Sequence, residues 1–252
     1  MNWRPVLPFV FTFGAMVAGV TSILVAASGH FFEAGQLIML SMILDGLDGE
    51  TARRLKCTSE FGAELDTFVD IVSFGVAPAF LAYQAALHEF GVWGMVLVAS
   101  IVMSGACRLA RFRISNPDRG QKGYIGLPIT VLGGWLAMII LVAESGLIQA
   151  EWMSLTHGPA ATLVWAVTVM FTLLQVSNVR YEKPTKAPVI FAGCLVAVAC
   201  LFMPLEIAVA AAVGICGAMF IFGFITPFLP KHEVVIEIDD TDEDEPVPVR
   251  HS

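Results

Sequence analysis

Charged residues are scarce in this sequence. Only 14% of its 252 residues are Asp, Glu, Lys or Arg, whereas 57% are hydrophobic. A soluble domain usually carries about a quarter charged residues, and each helix of a soluble protein needs a polar face toward water. The apolar runs here have no such face, so the composition excludes an ordinary soluble protein, including a very apolar helical one.

Paired cysteines are missing as well. Zinc and redox sites commonly use a Cys-x-x-Cys motif, and this sequence contains none. The five cysteines mostly fall inside apolar segments and are Cys57, Cys107, Cys194, Cys200 and Cys216. We therefore expect no cysteine-based metal or redox site and attribute these residues to packing within helices.

The apolar residues occur in blocks of about 20, the length that a membrane-spanning helix requires. These blocks predict about eight helices, at 8–28, 32–55, 63–88, 90–113, 124–145, 156–178, 187–204 and 206–229. We expect no cleaved signal peptide, because the first block is long and many others follow it. The predicted fold is an all-α, polytopic transmembrane helical bundle.

The basic residues indicate how the bundle is oriented. With these spans, all 14 Lys and Arg lie at or near one side of the membrane. The loops on the other side, near 29–31, 89, 146–155 and 205, contain none. Basic residues collect on the cytoplasmic side. We therefore expect a multi-pass protein of the cell (inner) membrane with both termini in the cytoplasm.

The C-terminal segment differs from the rest of the chain. Residues 231–252 hold eight acidic and two basic residues, so they carry −6 of the net charge of −8. Such a segment cannot bury enough apolar surface to fold. The sequence therefore predicts a membrane domain at 1–230 and a disordered acidic cytoplasmic tail at 231–252. That tail either only solvates the chain end or docks a basic partner.

Four aspartates lie at membrane depth, where ionisable groups are costly and indicate function by default. Asp45 and Asp48 are near the end of the second predicted span, and Asp66 and Asp70 are near the start of the third. Residues three or four apart share one helix face. Because the residues between the pairs suffice for an antiparallel turn, both pairs should meet just inside the cytoplasmic surface.

Four carboxylates at that range cannot all stay ionised without cations. Their oxygens suit Mg²⁺ or Mn²⁺, and two such ions can clamp the attacking and leaving oxygens of a displacement at phosphorus. An EF-hand is excluded, because no Glu closes a 12-residue loop. A metal-free proton or ion relay is the alternative. A relay would need neither the small Gly49 and Ala52, against which a nucleotide could lie, nor Arg53, which could bind its phosphate.

The stretch DGLDGETARRLKCTSEFGAELDTFVD, residues 45–70, resembles the signature of the CDP-alcohol phosphotransferase family, D-x2-D-G-x2-A-R-x8-G-x3-D-x3-D, at every fixed position and gap. The resemblance implies one metal ion on Asp45, Asp48 and Asp66 and a second on Asp45, Asp66 and Asp70. It also implies that Asp70 is the general base for an acceptor hydroxyl. Expected contacts to the CDP-lipid are Gly49, Arg53 and Ser59, with Ala52, Gly62 and Thr12 as further candidates.

Four more segments resemble the phosphatidylserine synthase branch of that family: 73–79, 105–112, 126–128 and 176–181. The likeness covers roughly residues 5–190, although Gly126 and Pro128 could equally just begin a helix. It implies a homodimer among membrane lipids that uses CDP-diacylglycerol and L-serine, and no nucleic-acid partner. Two positions depart from the branch, since Phe9 and Arg113 stand where it usually has Asn.

The acceptor pocket is less specified than the carboxylates. Arg108, Arg111 and Arg180 either meet the serine carboxylate or a lipid phosphate, or extend to the interface and set orientation. The expected reaction transfers a phosphatidyl group from CDP-diacylglycerol to the serine hydroxyl and releases CMP. Other acceptors that fit the same chemistry are glycerol 3-phosphate, inositol phosphate and choline. A membrane transporter or scaffold that keeps the motif without chemistry is the alternative from a different class.

Overall fold

The computed structural model describes residues 6–115, 123–146, 154–182 and 205–224. In these ranges the chain forms seven helices: α1 (Val6–Ala27), α2 (Phe31–Leu55), α3 (Glu60–Ala85), α4 (Val92–Ser115), α5 (Ile129–Glu144), α6 (Gly158–Val176) and α7 (Leu205–Phe224). Two three-residue strands, β1 (Gly123–Ile125) and β2 (Arg180–Glu182), pair in antiparallel register with Tyr124 opposite Tyr181. The all-α prediction is confirmed, while the predicted helix at 187–204 and the tail at 231–252 lie outside the described residues.

Four of these helices are long and apolar enough to cross a membrane, namely α1, α3, α4 and α6. Helix α5 and the Val209–Gly223 part of α7 are apolar but shorter. Helix α2 has 25 residues and carries acidic and basic side chains in its last turns. The apolar helices identify a membrane protein, and the polar end of α2 sets it apart as the helix that carries the site.

Helix α5 lies at the centre of the bundle. Its side chains Leu136, Ala137, Met138 and Ile140 are fully buried, and the helix packs against both α2 and α7. Helix α1 packs along α2, where Ser41 of α2 donates a 2.8 Å hydrogen bond to the Ala15 carbonyl of α1. Such a hydrogen bond pairs a buried hydroxyl within the bundle, where no water is needed to pair it. Helices α1, α2 and α5 therefore form a closely packed frame for the site.

Helix α3 changes its winding directly after Asp70. It is α-helical over Glu60–Asp70, π-helical over Ile71–Val76 and α-helical again over Ala77–Ala85. This segment packs tightly on α1, because a Cβ added at Gly19 would lie 2.4 Å from Ser73 Oγ. A π-helical turn inserts one extra residue and often marks a functional site. Here it begins at the carboxylate predicted to be the base.

The predicted span at 124–145 begins too early. The structure has strand β1 up to Ile125, a turn, and then α5 from Ile129. The turn needs glycine at 126, where φ is +78° and an added Cβ would lie 2.2 Å from the Gln175 carbonyl oxygen. Pro128 precedes the helix. These residues therefore serve the turn and the helix start, which was one of the two readings that the sequence left open.

Candidate active site

Three carboxylates converge between α2 and α3. One oxygen each from Asp45, Asp48 and Asp66 lies within 4.8 Å of the other two. A short turn makes this possible: Lys56 closes α2 in the left-handed conformation at φ 51°, and Ser59 caps α3 by accepting a 3.0 Å hydrogen bond from the Gly62 N–H. The turn reverses the chain, so the acidic faces of the two helices meet as their spacing predicts.

Asp70 lies one helical turn beyond Asp66 on α3. It is outside the group of three, but its charge acts on both Asp45 and Asp66. The carboxyl groups of Asp45 and Asp66 are close enough to share a hydrogen bond when one of them carries a proton. The guanidinium of Arg108, on α4, is only 5% exposed and its opposite charge acts on Asp70. The structure therefore brings all four aspartates into one electrostatic cluster, with a buried arginine beside Asp70.

The cluster fits divalent cations. Oδ1 of Asp45 is buried and has no hydrogen-bond partner among the described residues, and a buried carboxylate oxygen left without a partner is costly. Asp48 is 6% exposed and accepts a hydrogen bond from Thr12. All the available ligand atoms are carboxylate oxygens, the type that Mg²⁺ and Mn²⁺ prefer. A cation would neutralise the clustered charges and use the unpaired Asp45 oxygen.

A cleft of about 80 Å³ opens beside the carboxylates. Asp48 and Asp66 line it, and five of the residues expected to contact the CDP-lipid line it too: Thr12, Gly49, Ala52, Ser59 and Gly62. Most of these side chains are small. A flat ligand could therefore approach the backbone of α2 and α3 closely.

Arg53, the sixth expected contact, is exposed at the edge of this cleft. Its Nη1 lies 3.4 Å from the position that a Cβ at Gly49 would occupy, and its charge acts on Asp48. In the structure it forms a 3.0 Å ion pair with Glu50. Exposed ion pairs of this type contribute little to stability, so Arg53 can exchange Glu50 for a phosphate at small cost.

The remaining arginines separate into different environments. Arg111 donates hydrogen bonds to the carbonyls of Val176 and Ser177, at 2.5 and 3.0 Å, and thereby caps the end of α6. Arg180 is exposed on β2. Arg113 forms an ion pair with Glu64 that joins α4 to α3. Of the three arginines considered for the acceptor, Arg108 is the one placed beside Asp70.

Two contacts in the structure were not predicted from the sequence. Phe9 lines the cleft and packs against Phe61 with ring centroids 5.9 Å apart. Phe9 is visible in the sequence as a departure from the family pattern, but nothing marks Phe61. The second contact joins α6 to α4, where Oε1 of the fully buried Gln175 accepts a 2.6 Å hydrogen bond from Ser104. Neither contact leaves a sequence signal, because each joins residues distant along the chain.

Comparison with known proteins agrees with this arrangement. A family model described as CDP-alcohol phosphatidyltransferase matches residues 5–223, which include the whole carboxylate cluster and cleft. A protein from Helicobacter pylori (strain ATCC 700392 / 26695) named CDP-diacylglycerol–serine O-phosphatidyltransferase is 39% identical over 176 residues, 70% of this chain and 71% of its own length. Proteins of the same name from Methanocaldococcus jannaschii and Bacillus subtilis are 38% and 34% identical over 149 and 135 residues. These matches cover 58% and 54% of this chain, and 62% and 74% of those proteins.

Proposed function

Because this chain belongs to the CDP-alcohol phosphatidyltransferase family, we propose that it transfers the phosphatidyl group of CDP-diacylglycerol to the hydroxyl of L-serine and releases CMP. The observation that carries the proposal is the meeting of Asp45, Asp48 and Asp66 beside a cleft with small-residue walls. The choice of donor and acceptor follows from the names of the relatives.

The four aspartates of the cluster would hold two divalent cations, Mg²⁺ or Mn²⁺. When bound, the cations supply charge neutralisation for the diphosphate and for the departing phosphate. Asp45 and Asp66 would serve both ions, which is supported by the buried Asp45 oxygen that has no hydrogen-bond partner among the described residues and by the Asp66 carboxylate close to it. Thr12 holds Asp48 through its hydroxyl and so keeps one carboxylate oriented toward the cluster.

The cleft would receive the nucleotide of the donor. Gly49, Ala52 and Gly62 present little side-chain bulk, so the nucleotide can lie against the backbone of α2 and α3. Arg53 at the edge of the cleft would leave Glu50 and donate its forked N–H groups to a phosphate. Ser59 caps α3 and at the same time lines the cleft, so it keeps the start of α3 beside the nucleotide.

Asp70 would act as the general base. It would accept the proton of the serine hydroxyl as that oxygen attacks the lipid-side phosphorus. The bond from this phosphorus to the oxygen of CMP then breaks, and CMP leaves with the electron pair. Arg108 is a donor-only group buried next to Asp70, so it would hold the serine carboxylate while the hydroxyl faces the base.

The acceptor can be tested with the purified full-length protein in detergent. CDP-diacylglycerol and Mg²⁺ or Mn²⁺ are supplied with one acceptor at a time, and CMP release and the lipid product are followed. We expect release with L-serine and its loss in Asp66→Asn. Equal or faster release with glycerol 3-phosphate, inositol phosphate or choline would contradict serine as the acceptor while keeping the phosphotransferase chemistry.

We also propose that the helices described here belong to a bundle of eight spans, with 187–204 as the additional one. The one-sided distribution of Lys and Arg supports placing both termini and the site on the cytoplasmic face of the inner membrane. Reporter fusions at residue 252 and within 147–153 should report opposite sides. Reporters on the same side would refute this topology.

The membrane domain at 1–230 would carry the activity, with 231–252 as a disordered cytoplasmic tail. Deleting the tail should then leave CMP release unchanged, and a loss of activity would show that the tail belongs to the enzyme domain. From family membership we propose a homodimer. Its mass in detergent, corrected for the bound micelle, should be twice that of one chain.

A further inference from the structure

Phe9 is at the outer end of the cleft that begins at the carboxylates. It lies in the first turn of α1, three residues before Thr12, whose hydroxyl contacts Asp48. With a rise of about 1.5 Å per residue, Phe9 lies about 4.5 Å further than Thr12 along the α1 axis, toward the start of the helix. The cleft therefore runs from the carboxylates of Asp48 and Asp66 at one end to the aromatic ring of Phe9 at the other.

Phe61 holds this ring in place from the first turn of α3. The two ring centroids are 5.9 Å apart and the ring planes are inclined by 55°. An atom of the Phe9 ring also lies 3.9 Å from the position of a Cβ at Gly62. Phe9 is half-buried, whereas Phe61 is 68% exposed. Phe61 therefore covers one side of Phe9, and another side of Phe9 faces the cleft.

The structure of the donor nucleotide determines which part of it would lie at the Phe9 end of the cleft. A nucleoside diphosphate whose phosphates lie at the carboxylates must place its sugar and base further along the cleft. The walls include Ala52, Gly62 and Ala63, which have no polar side-chain atom, and Thr58 and Ser59, whose hydroxyls can hydrogen bond a sugar or the edge of a base but cannot cover its flat face. A nucleobase has flat apolar faces that stack on aromatic side chains. An aromatic ring with one free side at the end of this cleft meets that requirement.

We propose that Phe9 is the stacking surface for the base of the donor nucleotide, and that Phe61 is a positioning residue that acts through Phe9. This inference rests on the proposed function for the presence of the nucleotide. It gives Phe9, which replaces the polar residue usual in this branch, a binding role of its own. Recognition by stacking reads the face of the base rather than its edge, so Phe9 itself should favour cytosine over uracil only slightly.

The test is binding of CMP, measured by isothermal titration calorimetry with the full-length protein in detergent and Mg²⁺. Phe9→Ala should weaken CMP binding about tenfold, within the range found when a stacking aromatic is removed. Phe9→Leu keeps the apolar bulk and the fold, and should also weaken CMP binding. Phe61→Ala should have a smaller effect, about threefold, because it removes only the aromatic pair that supports Phe9. Binding of ribose 5-phosphate, which lacks the base, should be unchanged in all three variants.

Phe68→Ala is the matched control. Phe68 is also on α3 and is 61% exposed, close to the value for Phe61, but it does not line the cleft. We expect this variant to bind CMP as the wild type does. If Phe68→Ala weakened CMP binding as much as Phe61→Ala, the effect would come from the apolar surface of α3 in general and the proposal would be wrong.

Other results would also overturn the proposal. Unchanged CMP binding in Phe9→Ala would exclude stacking, and an equal loss of ribose 5-phosphate binding would show a displaced α1 instead. A higher KM for CDP-diacylglycerol with unchanged CMP binding would show that the rings contact the lipid. Failure of the proposed function can be distinguished from failure of the stacking proposal. In the former case the wild type itself would bind no CMP or release none with serine.

Discussion

The hydroxyl of Thr12 donates a 2.7 Å hydrogen bond to Oδ2 of Asp48 and thereby connects α1 to the carboxylate cluster on α2. Each of the two residues is only 6% exposed. A hydroxyl that occupies one carboxylate oxygen fixes the direction of the other, as the outer-shell partners of metal ligands commonly do. Helix α1 carries no acidic residue, yet through Thr12 it determines how one member of the cluster is oriented.

Removing this hydroxyl should weaken cation binding more than it destabilises the fold. Thr12→Val keeps the shape of the side chain but leaves Asp48 without its donor, and we expect Mn²⁺ affinity to fall about tenfold or more. Thr12→Ser retains the hydroxyl and should stay near the wild type. The Mn²⁺ affinity of both variants can be measured by titration, with electron paramagnetic resonance reporting the concentration of free Mn²⁺. Equal affinities for Thr12→Val and the wild type would show that Asp48 needs no orientation from α1.

Replacing the proposed base should separate chemistry from folding. Asp70→Asn has nearly the same shape but cannot accept the proton, so serine-dependent CMP release should fall by about 10² to 10⁴-fold. The thermal unfolding midpoint in detergent should remain within a few degrees of that of the wild type. Substantial turnover by this variant would refute Asp70 as the base, even if the other three aspartates hold the cations as proposed.

Cations should stabilise the folded protein through the clustered carboxylates. Asp45, Asp48 and Asp66 repel one another at this range, and a ligand that binds only the folded state adds about 2.7 kcal/mol at 100 times its Kd. Saturating Mg²⁺ or Mn²⁺ should therefore raise the unfolding midpoint, and EDTA should lower it and stop CMP release. Asp45→Asn should lose most of this response. Glu33→Gln, at the other end of α2, serves as the control and should respond as the wild type does.

Two arginines on α4 should respond differently to substitution. Arg108 is buried beside Asp70, so Arg108→Lys should raise the KM for serine about tenfold or more, since lysine cannot reproduce a forked contact to a carboxylate. Arg111 caps α6, so Arg111→Lys should lower the unfolding midpoint with little change in that KM. Steady-state kinetics and thermal unfolding of both variants provide the comparison. If Arg111→Lys raised the KM for serine and Arg108→Lys lowered only the unfolding midpoint, both assigned roles would be wrong.

Much of the fold could be predicted because its signal is local. A helix that crosses a bilayer needs a continuous apolar block, and the block at 8–28 corresponds to the observed Val6–Ala27. The predicted start of the fifth span near residue 124 was wrong, because the chain makes a turn at Gly126, where the backbone lies close to the carbonyl of Gln175. That contact joins α6 to the start of α5. No sequence pattern within either segment predicts this contact.

The carboxylate cluster was also predictable, since Asp45 and Asp48, like Asp66 and Asp70, are spaced to share a helix face. The roles of the arginines were not. Arg108 and Arg111 are three residues apart on the same helix, and one is buried beside Asp70 while the other caps α6. Side chains so close in sequence differ because different helices pack against them.

The sequence by itself determined that this is a helical membrane protein of the CDP-alcohol phosphatidyltransferase family with a cluster of four aspartates. Those features depend on composition and on spacings within one or two helices. Only the tertiary structure decided that Thr12 orients Asp48, that α3 is π-helical after Asp70, and that Phe9 and Phe61 meet at the cleft. Each of these depends on how α1, α2 and α3 pack together, and packing is fixed by the shapes of side chains from separate segments rather than by the pattern within any one of them.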